Sequence, residues 1–139
     1  MDKWDVEVEH TIQTIAKAVK EGKLKTEGKF KGLITYHDPC HLGRYSGIYE
    51  EPREILKSLG FNVVEMEFTK ENSFCCGAGG GVVGNYPELA EEIAKERIKQ
   101  ARETKSKVLV TACPLCYVNL KNAAKDIEVK EISEFLVQY

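Results

Sequence analysis

The five cysteines of this chain are spaced in a way that could support metal chemistry. One stands alone at Cys40, two are adjacent at Cys75 and Cys76, and Cys113 and Cys116 form a Cys-x-x-Cys pair. Cysteine thiolates bind zinc and iron, and a structural zinc site closes at four ligands. Because five thiolates exceed what one zinc ion takes, the pattern favours a sulfur-rich iron cluster.

Two local features would stabilise sulfur atoms that bind a metal. Pro114 is typical of the first turn of a helix, where free N–H groups and the helix dipole lower the pKa of a thiol such as Cys113. The glycine-rich segment 77–84 has little side chain. Its amides, Gly77 and Gly79 among them, could therefore donate hydrogen bonds to cluster sulfurs and tune their potential.

Other interpretations of these residues stay open. Segment 79–84 matches the dinucleotide fingerprint G-x-G-x-x-G, but it does not follow the first strand and lacks an acidic residue about 20 positions later. Cys113 and Cys116 alone could be a thioredoxin-like redox pair, which would leave three cysteines unexplained. Four cysteines could hold zinc with one to spare. The thiols could also pack as small apolar groups, although the adjacent pair beside so many glycines argues against this.

The elements that must position the cysteines follow from hydrophobic periodicity and turn residues. The sequence predicts helices over 5–19, 52–59, 87–104, 114–125 and 132–137, and strands over 32–36, 61–66, 107–111 and 127–129. This alternation predicts a three-layer α/β domain, with a mostly parallel sheet of about four strands and right-handed crossovers.

The predicted sheet explains how cysteines far apart in sequence could meet. Cys40 follows the first strand, Cys75 and Cys76 follow the second, and Cys113 follows the third. Since the carboxyl ends of parallel strands share one edge, where such folds place ligands, we expect all five cysteines to converge there.

Length and composition predict one small domain. We expect residues 1–31 to form an amphipathic helix and a basic linker, and residues 32–139 to form the cysteine-rich domain. Twenty basic and 22 acidic residues give a net charge of −2, which argues against a nucleic-acid surface. The polar start and the lack of an apolar run near the roughly 20 residues of a membrane span predict a cytoplasmic protein with reduced thiols.

Three segments carry a resemblance to a known family: 36–44 around Cys40, 75–80, and 111–116. They resemble the cysteine-rich CCG domain of heterodisulfide reductases, with the nearest likeness to the C-terminal CCG domain of the catalytic subunit of the membrane-linked type. The same domain occurs in iron-sulfur subunits of glycolate oxidase, lactate-utilisation and anaerobic glycerol-3-phosphate dehydrogenase systems. The likeness runs from about Leu33 to Asn122.

The resemblance implies a cofactor and a reaction. Its CCG motif holds a non-cubane four-iron four-sulfur cluster with five cysteine ligands, and the matching positions here are Cys40, Cys75, Cys76, Cys113 and Cys116. The family reaction, a step of methanogenesis, reduces the disulfide between coenzyme M and coenzyme B to two thiols with electrons delivered singly. A zinc ion is the alternative occupant.

Side chains beside Cys40 are candidates for substrate chemistry. His37 or His41 could protonate a departing thiolate, although hydrogen bonding within the loop is the simpler interpretation. Arg44 could bind an anionic substrate group such as a sulfonate or phosphate, and Asp38 could orient the loop.

The chain also departs from the resembled family. It has one CCG motif where these subunits usually carry two, and it has no ferredoxin-like cysteine segments. We therefore expect partner subunits or domains that carry ferredoxin-type clusters, flavin or haem, and a link to a membrane only through such a partner. Besides disulfide reduction, two functions stay open: an electron-transfer module of a flavin-linked dehydrogenase complex, and a zinc-stabilised interaction domain.

Overall fold

The computed structural model describes residues 5–26 and 30–136. The first four residues of the predicted N-terminal region lie outside the described residues, as do positions 27–29 of the predicted basic linker. The last residue of the helix predicted over 132–137 also lies outside them. The division at residue 31 stays a prediction.

The described residues form a four-stranded parallel sheet with helices on both faces. The strands are β1 (Gly32–His37), β2 (Phe61–Val64), β3 (Val108–Thr111) and β4 (Glu128–Glu131). The helices are α1 (Thr11–Lys20), α2 (Glu50–Ser58), α3 (Val82–Asn85), α4 (Pro87–Glu103) and α5 (Pro114–Ala123). The sheet order is β2-β1-β3-β4, with every neighbouring pair parallel. This confirms the predicted three-layer α/β fold.

Two hydrophobic cores fill the space between the sheet and its helices. One core joins α1 and α2 to the sheet face that carries Ile34, Tyr36 and Val110. The other joins α4 and α5 to the face that carries Leu109 and Val129. The alternation of side chains along the strands supplies both cores, as expected of a central parallel sheet covered on each side.

The first helix begins later than the sequence pattern predicts. The helix predicted over 5–19 starts at Thr11, because His10 caps it: the Ile12 N–H donates to His10 Nδ1 (3.1 Å), and the His10 N–H donates to Gln13 Oε1 (3.0 Å). Val8, which lies inside the range predicted as helix, is 82% exposed.

Several other boundaries differ from the predictions. The second strand ends at Val64 instead of residue 66, α5 ends at Ala123 instead of 125, and β4 lies one or two residues later than predicted. The predicted last helix is a 3-10 turn over Ile132–Phe135, fixed by a capping box between Glu131 and Glu134. The sequence patterns also missed α3, a π-helical turn over His41–Tyr45 and a 3-10 turn over Lys70–Asn72.

In the part of the chain that the structure describes, no helix is both long enough and apolar enough to cross a lipid bilayer.

Candidate metal centre

Four of the cysteines lie in the loops that leave the carboxyl ends of β1, β2 and β3, and Cys116 lies in the first turn of α5. Cys40 precedes the π-helical turn, the adjacent pair follows the 3-10 turn after β2, and Cys113 caps the start of α5. A cleft at this edge is lined by four of them: Cys40, Cys75, Cys76 and Cys116. Cys113 is the N-cap residue of α5, the helix whose first turn carries Cys116. The predicted convergence at the carboxyl edge is therefore confirmed.

Cys76 and Cys116 form the buried floor of this group. Each is only 4% exposed, and their sulfurs lie 3.2 Å apart. This distance is well beyond the roughly 2.05 Å of a disulfide, and all five cysteines are free thiols. Cys75 is exposed, while Cys40 and Cys113 are half-buried. The group thus runs from the core to the surface, with a buried floor and an open side.

Hydrogen bonds among the thiols lower the pKa of some of the cysteines and raise the pKa of others. Hydrogen bonds from the Cys116 and Cys75 thiols, and then from His37, hold the pKa of Cys76 far below its usual range. A hydrogen bond from Cys116, together with the backbone N–H groups at the start of α5, lowers the pKa of Cys113 to about 6. The donors show the reverse effect, since their own hydrogen bonds raise the pKa of Cys75 and Cys116. Ionised sulfur, the form that binds metal, is thus favoured at two positions.

Gly77 lets the backbone pass close to the cysteines. Its φ is +86°, and a Cβ there would lie 2.6 Å from the Ala90 carbonyl oxygen and 3.0 Å from Ile93 Cβ. Its N–H donates to Cys75 Sγ (3.3 Å). A side chain would therefore both strain the turn and push it off α4. At Gly79, the other predicted glycine, φ lies outside the left-handed region and an added Cβ would meet no atom within 4 Å.

Asn119, which the sequence analysis did not identify, holds the backbone at Cys76 in place. Its side-chain amide on α5 donates to the Cys76 carbonyl oxygen (2.7 Å) and to the Ala90 carbonyl oxygen (3.3 Å). One side chain thus joins the cysteine loop, α4 and α5. The only signal in the sequence is an amide three residues after Cys116 on the same helix.

The two histidines near Cys40 lie in different surroundings. His41 is exposed and packs against Tyr45, with ring centroids 5.0 Å apart and the ring planes tilted by 45°. His37 is 1% exposed, and one of its ring nitrogens lies within 4.8 Å of the sulfurs of Cys76 and Cys116. Burial lowers the pKa of His37, against the opposing effect of a hydrogen bond with Cys76. Of the two, His37 alone lies beside the buried sulfurs.

Arg44 lies at the wall of the cleft, where it holds two loops together. Its Nε donates to the Glu71 carbonyl oxygen (3.0 Å), and its Nη2 donates to the Ser73 carbonyl oxygen. These contacts join the π-helical turn to the segment before the adjacent cysteines. Arg44 therefore contributes positive charge to the cleft while it fixes the cleft's outer loop.

Asp38 is held by a buried ion pair that the sequence did not predict. Its carboxylate accepts from Arg53 Nη1 (2.7 Å) and Nη2 (2.9 Å) and from the Lys70 N–H (2.8 Å). Arg53 also binds Glu65 through Nε (2.6 Å) and Nη2 (2.8 Å). Burial raises the pKa of Asp38, but the hydrogen bonds from Arg53 outweigh it, and the net shift is downward. The network links the loops after β1 and β2 to α2.

Arg97 on α4 is a second buried arginine behind the cysteines. It is 0% exposed, and it donates to His37 Nδ1 (3.0 Å), the Phe68 carbonyl oxygen (2.8 Å), Gln100 Oε1 (2.7 Å) and Ser73 Oγ (3.2 Å). Burial lowers the pKa of Arg97 to about 10. From the sequence it is one of several charged residues on a helix, and nothing in the pattern marks it as buried.

The donor set fits a metal-sulfur group. Five free thiols meet at one edge, a backbone N–H already donates to one sulfur, and the surrounding hydrogen bonds favour thiolates. Iron-sulfur clusters are held by cysteine thiolates and tuned by such N–H contacts. A zinc site would use four of the five.

Comparison with known proteins agrees with this geometry. Residues 34–121 match a family model described as CCG, cysteine-rich domain. The chain is 42% identical over 137 residues to one subunit of the dihydromethanophenazine:CoB–CoM heterodisulfide reductase of Methanosarcina acetivorans, covering 95% of this chain and 34% of the relative.

Two bacterial relatives extend the comparison. The chain is 40% identical over 132 residues to the EtfAB:quinone oxidoreductase of Syntrophomonas wolfei, covering 90% of this chain and 18% of that protein. It is 38% identical over 139 residues to the probable iron-sulfur-binding oxidoreductase FadF of Bacillus subtilis, covering 95% of this chain and 20% of that protein. The chain thus spans about a third or less of the length of these relatives.

Proposed function

The chain belongs to the CCG family of cysteine-rich domains, and from this premise we propose that it is the iron-sulfur cluster-binding domain of a heterodisulfide reductase-like protein. The observation that carries the proposal is the convergence of five free thiols, from three loops and the first turn of α5, at the carboxyl edge of one sheet. The similarity to a heterodisulfide reductase subunit over nearly the whole chain supports it.

We assign the cluster to the five cysteines, Cys40, Cys75, Cys76, Cys113 and Cys116, as a four-iron four-sulfur group of the non-cubane type. Cys76 and Cys116 would anchor it on the buried side, and Cys75 would hold it at the open side. The Gly77 N–H would stabilise sulfur charge there. When bound, such a cluster supplies one-electron chemistry and iron sites with affinity for sulfur.

The reaction we propose is the reduction of a small disulfide. The S–S bond breaks with the uptake of two electrons and two protons, which gives two thiols; partner subunits supply the electrons. We propose the heterodisulfide of coenzyme M and coenzyme B as substrate. Arg44 would attract an anionic group of the substrate to the cleft, since it is a positively charged residue that lines the cleft.

The proton donor of this reaction would be His41 and not His37. His41 is exposed beside Cys40, so it can exchange protons with solvent. His37 is buried, and its Nδ1 accepts a hydrogen bond from Arg97. Imidazole suits this role because it titrates near neutral pH.

A second function, electron transfer without a substrate, is favoured by one comparison. The similarity to an EtfAB:quinone oxidoreductase fits a module that passes electrons between a flavin subunit and a quinone. In either function we propose partners that carry ferredoxin-type clusters, flavin or haem, and a cytoplasmic domain held at a membrane only through such a partner.

Electron paramagnetic resonance of the oxidised, cluster-loaded chain distinguishes the two functions. Coenzyme M should change the signal if the cluster has a position open to substrate sulfur. An unchanged signal over a full titration would favour electron transfer. The variant His41→Ala should keep both iron content and this signal change, and lose turnover in the assembled complex.

A further inference from the structure

Arg97 is a buried cation whose hydrogen-bond acceptors are all neutral. Among the described residues it binds two side-chain oxygens, one carbonyl oxygen and the ring of His37, and no carboxylate. Arg53, the other buried arginine, binds two carboxylates. Since an unpaired buried charge is costly, Arg97 points to a requirement for positive charge at this position.

The contact with Arg97 fixes the proton position on His37. A guanidinium has N–H donors and no acceptor, so His37 Nδ1 must offer its lone pair to Arg97 Nε. A ring that accepts at Nδ1 carries its proton on Nε2. His37 is therefore a neutral N–H donor on its other side, and that nitrogen has no lone pair for a metal.

The ring of His37 lies beside the buried floor of the site. A ring nitrogen and the sulfurs of Cys76 and Cys116 lie within 4.8 Å of one another. By residue type and distance this trio looks like a metal site. The hydrogen bond from Arg97 argues against that interpretation, because an Nε2 that carries a proton can donate to sulfur but cannot ligate a metal.

We propose that Arg97 and His37 are a pair of positioning residues, in which Arg97 orients His37 so that its Nε2–H donates to the sulfur of Cys76. The N–H and the guanidinium charge behind it stabilise negative charge on that sulfur. If the cluster of the proposed function is bound, they favour its reduced form, since hydrogen bonds and positive charge near cluster sulfurs raise the reduction potential. This second part rests on the proposed function; the first part does not.

The tautomer is tested on the full chain without metal, kept reduced. Long-range nitrogen-proton NMR spectra distinguish the two neutral forms of histidine, and the His37 signals are identified by their loss in His37→Gln. The proposal predicts the Nε2–H form for His37 at neutral pH. An Nδ1–H form, or a rapidly exchanging mixture of the two forms, would overturn it whether or not the protein binds a cluster.

The effect on potential is tested by redox titration of the cluster-loaded chain, followed by electron paramagnetic resonance. Arg97→Gln should lower the equilibrium constant for reduction by about tenfold, or about 59 mV for one electron. Arg102→Gln is the matched control, because it removes the same charge from an exposed position on the same helix and should change nothing. His37→Phe should act like Arg97→Gln, and His37→Gln, which keeps an N–H donor, should restore part of the potential.

The two tests separate this inference from the proposed function. A wild-type chain without iron would contradict the proposed function. The tautomer of His37 would still show whether Arg97 orients its ring as proposed. Equal potentials in Arg97→Gln, His37→Phe and the wild type would overturn the role of the pair in tuning. Should Arg97→Gln fail to fold, His37→Phe and the wild-type tautomer still decide.

Discussion

The sulfurs of Cys76 and Cys116 lie 3.2 Å apart, although 40 positions separate the two residues in the chain. The contact joins the loop after β2 to the first turn of α5, and both residues are buried against the core of α4 and α5. The centre of the cysteine group is therefore set by the packing of the domain, and its outer part is set by loops.

Gly77→Ala should destabilise the domain. The residue has a φ of +86°, and the added Cβ would lie 2.6 Å from the Ala90 carbonyl oxygen. We expect the free energy of unfolding, measured by urea denaturation, to fall by about 1–3 kcal/mol. Gly79→Ala is the control, because its added methyl meets nothing within 4 Å. Equal effects of the two substitutions would contradict the assigned geometry.

Arg53→Met should break the buried pair with Asp38. Both side chains are almost fully buried, at 3% and 2% exposure, so the substitution leaves a carboxylate without its partner. Breaking such a pair costs about 3–5 kcal/mol of unfolding free energy. Lys57→Met on the exposed side of the same helix should have little effect. A loss below about 1 kcal/mol in the free energy of unfolding for Arg53→Met would show that other groups stabilise the Asp38 carboxylate.

Acid should weaken the domain partly through Glu65. Burial raises the pKa of Glu65, but hydrogen bonds from Arg53 and Thr69 outweigh it, and the net shift is downward. A carboxyl with a lowered pKa stabilises the fold above its unfolded pKa, and this contribution is lost as the pH falls through the folded pKa.

Unfolding free energies measured from about pH 6 to pH 3 test this point. Glu65→Gln should show a shallower loss with acid than the wild type. Glu103→Gln, an exposed change at the end of α4, should keep the wild-type slope. An unchanged slope in Glu65→Gln would argue that the acid sensitivity arises elsewhere.

Asn119→Ala should loosen the cysteine loop. The change removes the donor to the Cys76 carbonyl oxygen (2.7 Å), and a buried acceptor left without its partner costs about 1–3 kcal/mol. If the chain holds iron there, the rate of iron release to a chelator should rise in this variant. Asn122→Ala, an exposed change on α5, should release iron at the wild-type rate. Equal release rates in both variants would contradict the role of Asn119.

Much of the architecture could be predicted from the sequence. Short segments rich in β-branched and other apolar residues located four strands, and the cysteines that follow three of them predicted the shared edge. The start of α1 could not be predicted from periodicity, because histidine is an unusual cap and Val8, which precedes it, continues the helical spacing. The π-helical turn after Cys40 likewise leaves no mark in the pattern.

The side chains that support the cysteines could not be predicted from the sequence. Arg53, Arg97 and Asn119 lie on helices with many charged and polar residues, and nothing in their spacing separates a buried arginine from an exposed one. Their roles depend on which carbonyls, carboxylates and rings meet them in three dimensions. Such contacts join distant segments, so single-sequence reasoning finds the candidate ligands before the residues that orient them.

The central claim is that five cysteines hold an iron-sulfur cluster, and the most direct test is the iron, zinc and acid-labile sulfide content of the chain purified without oxygen. We predict about four irons and four sulfides per chain. Cys116→Ser, which removes a sulfur from the buried floor, should lose most of both. About one zinc per chain, with no sulfide, would contradict the claim and favour a structural zinc site.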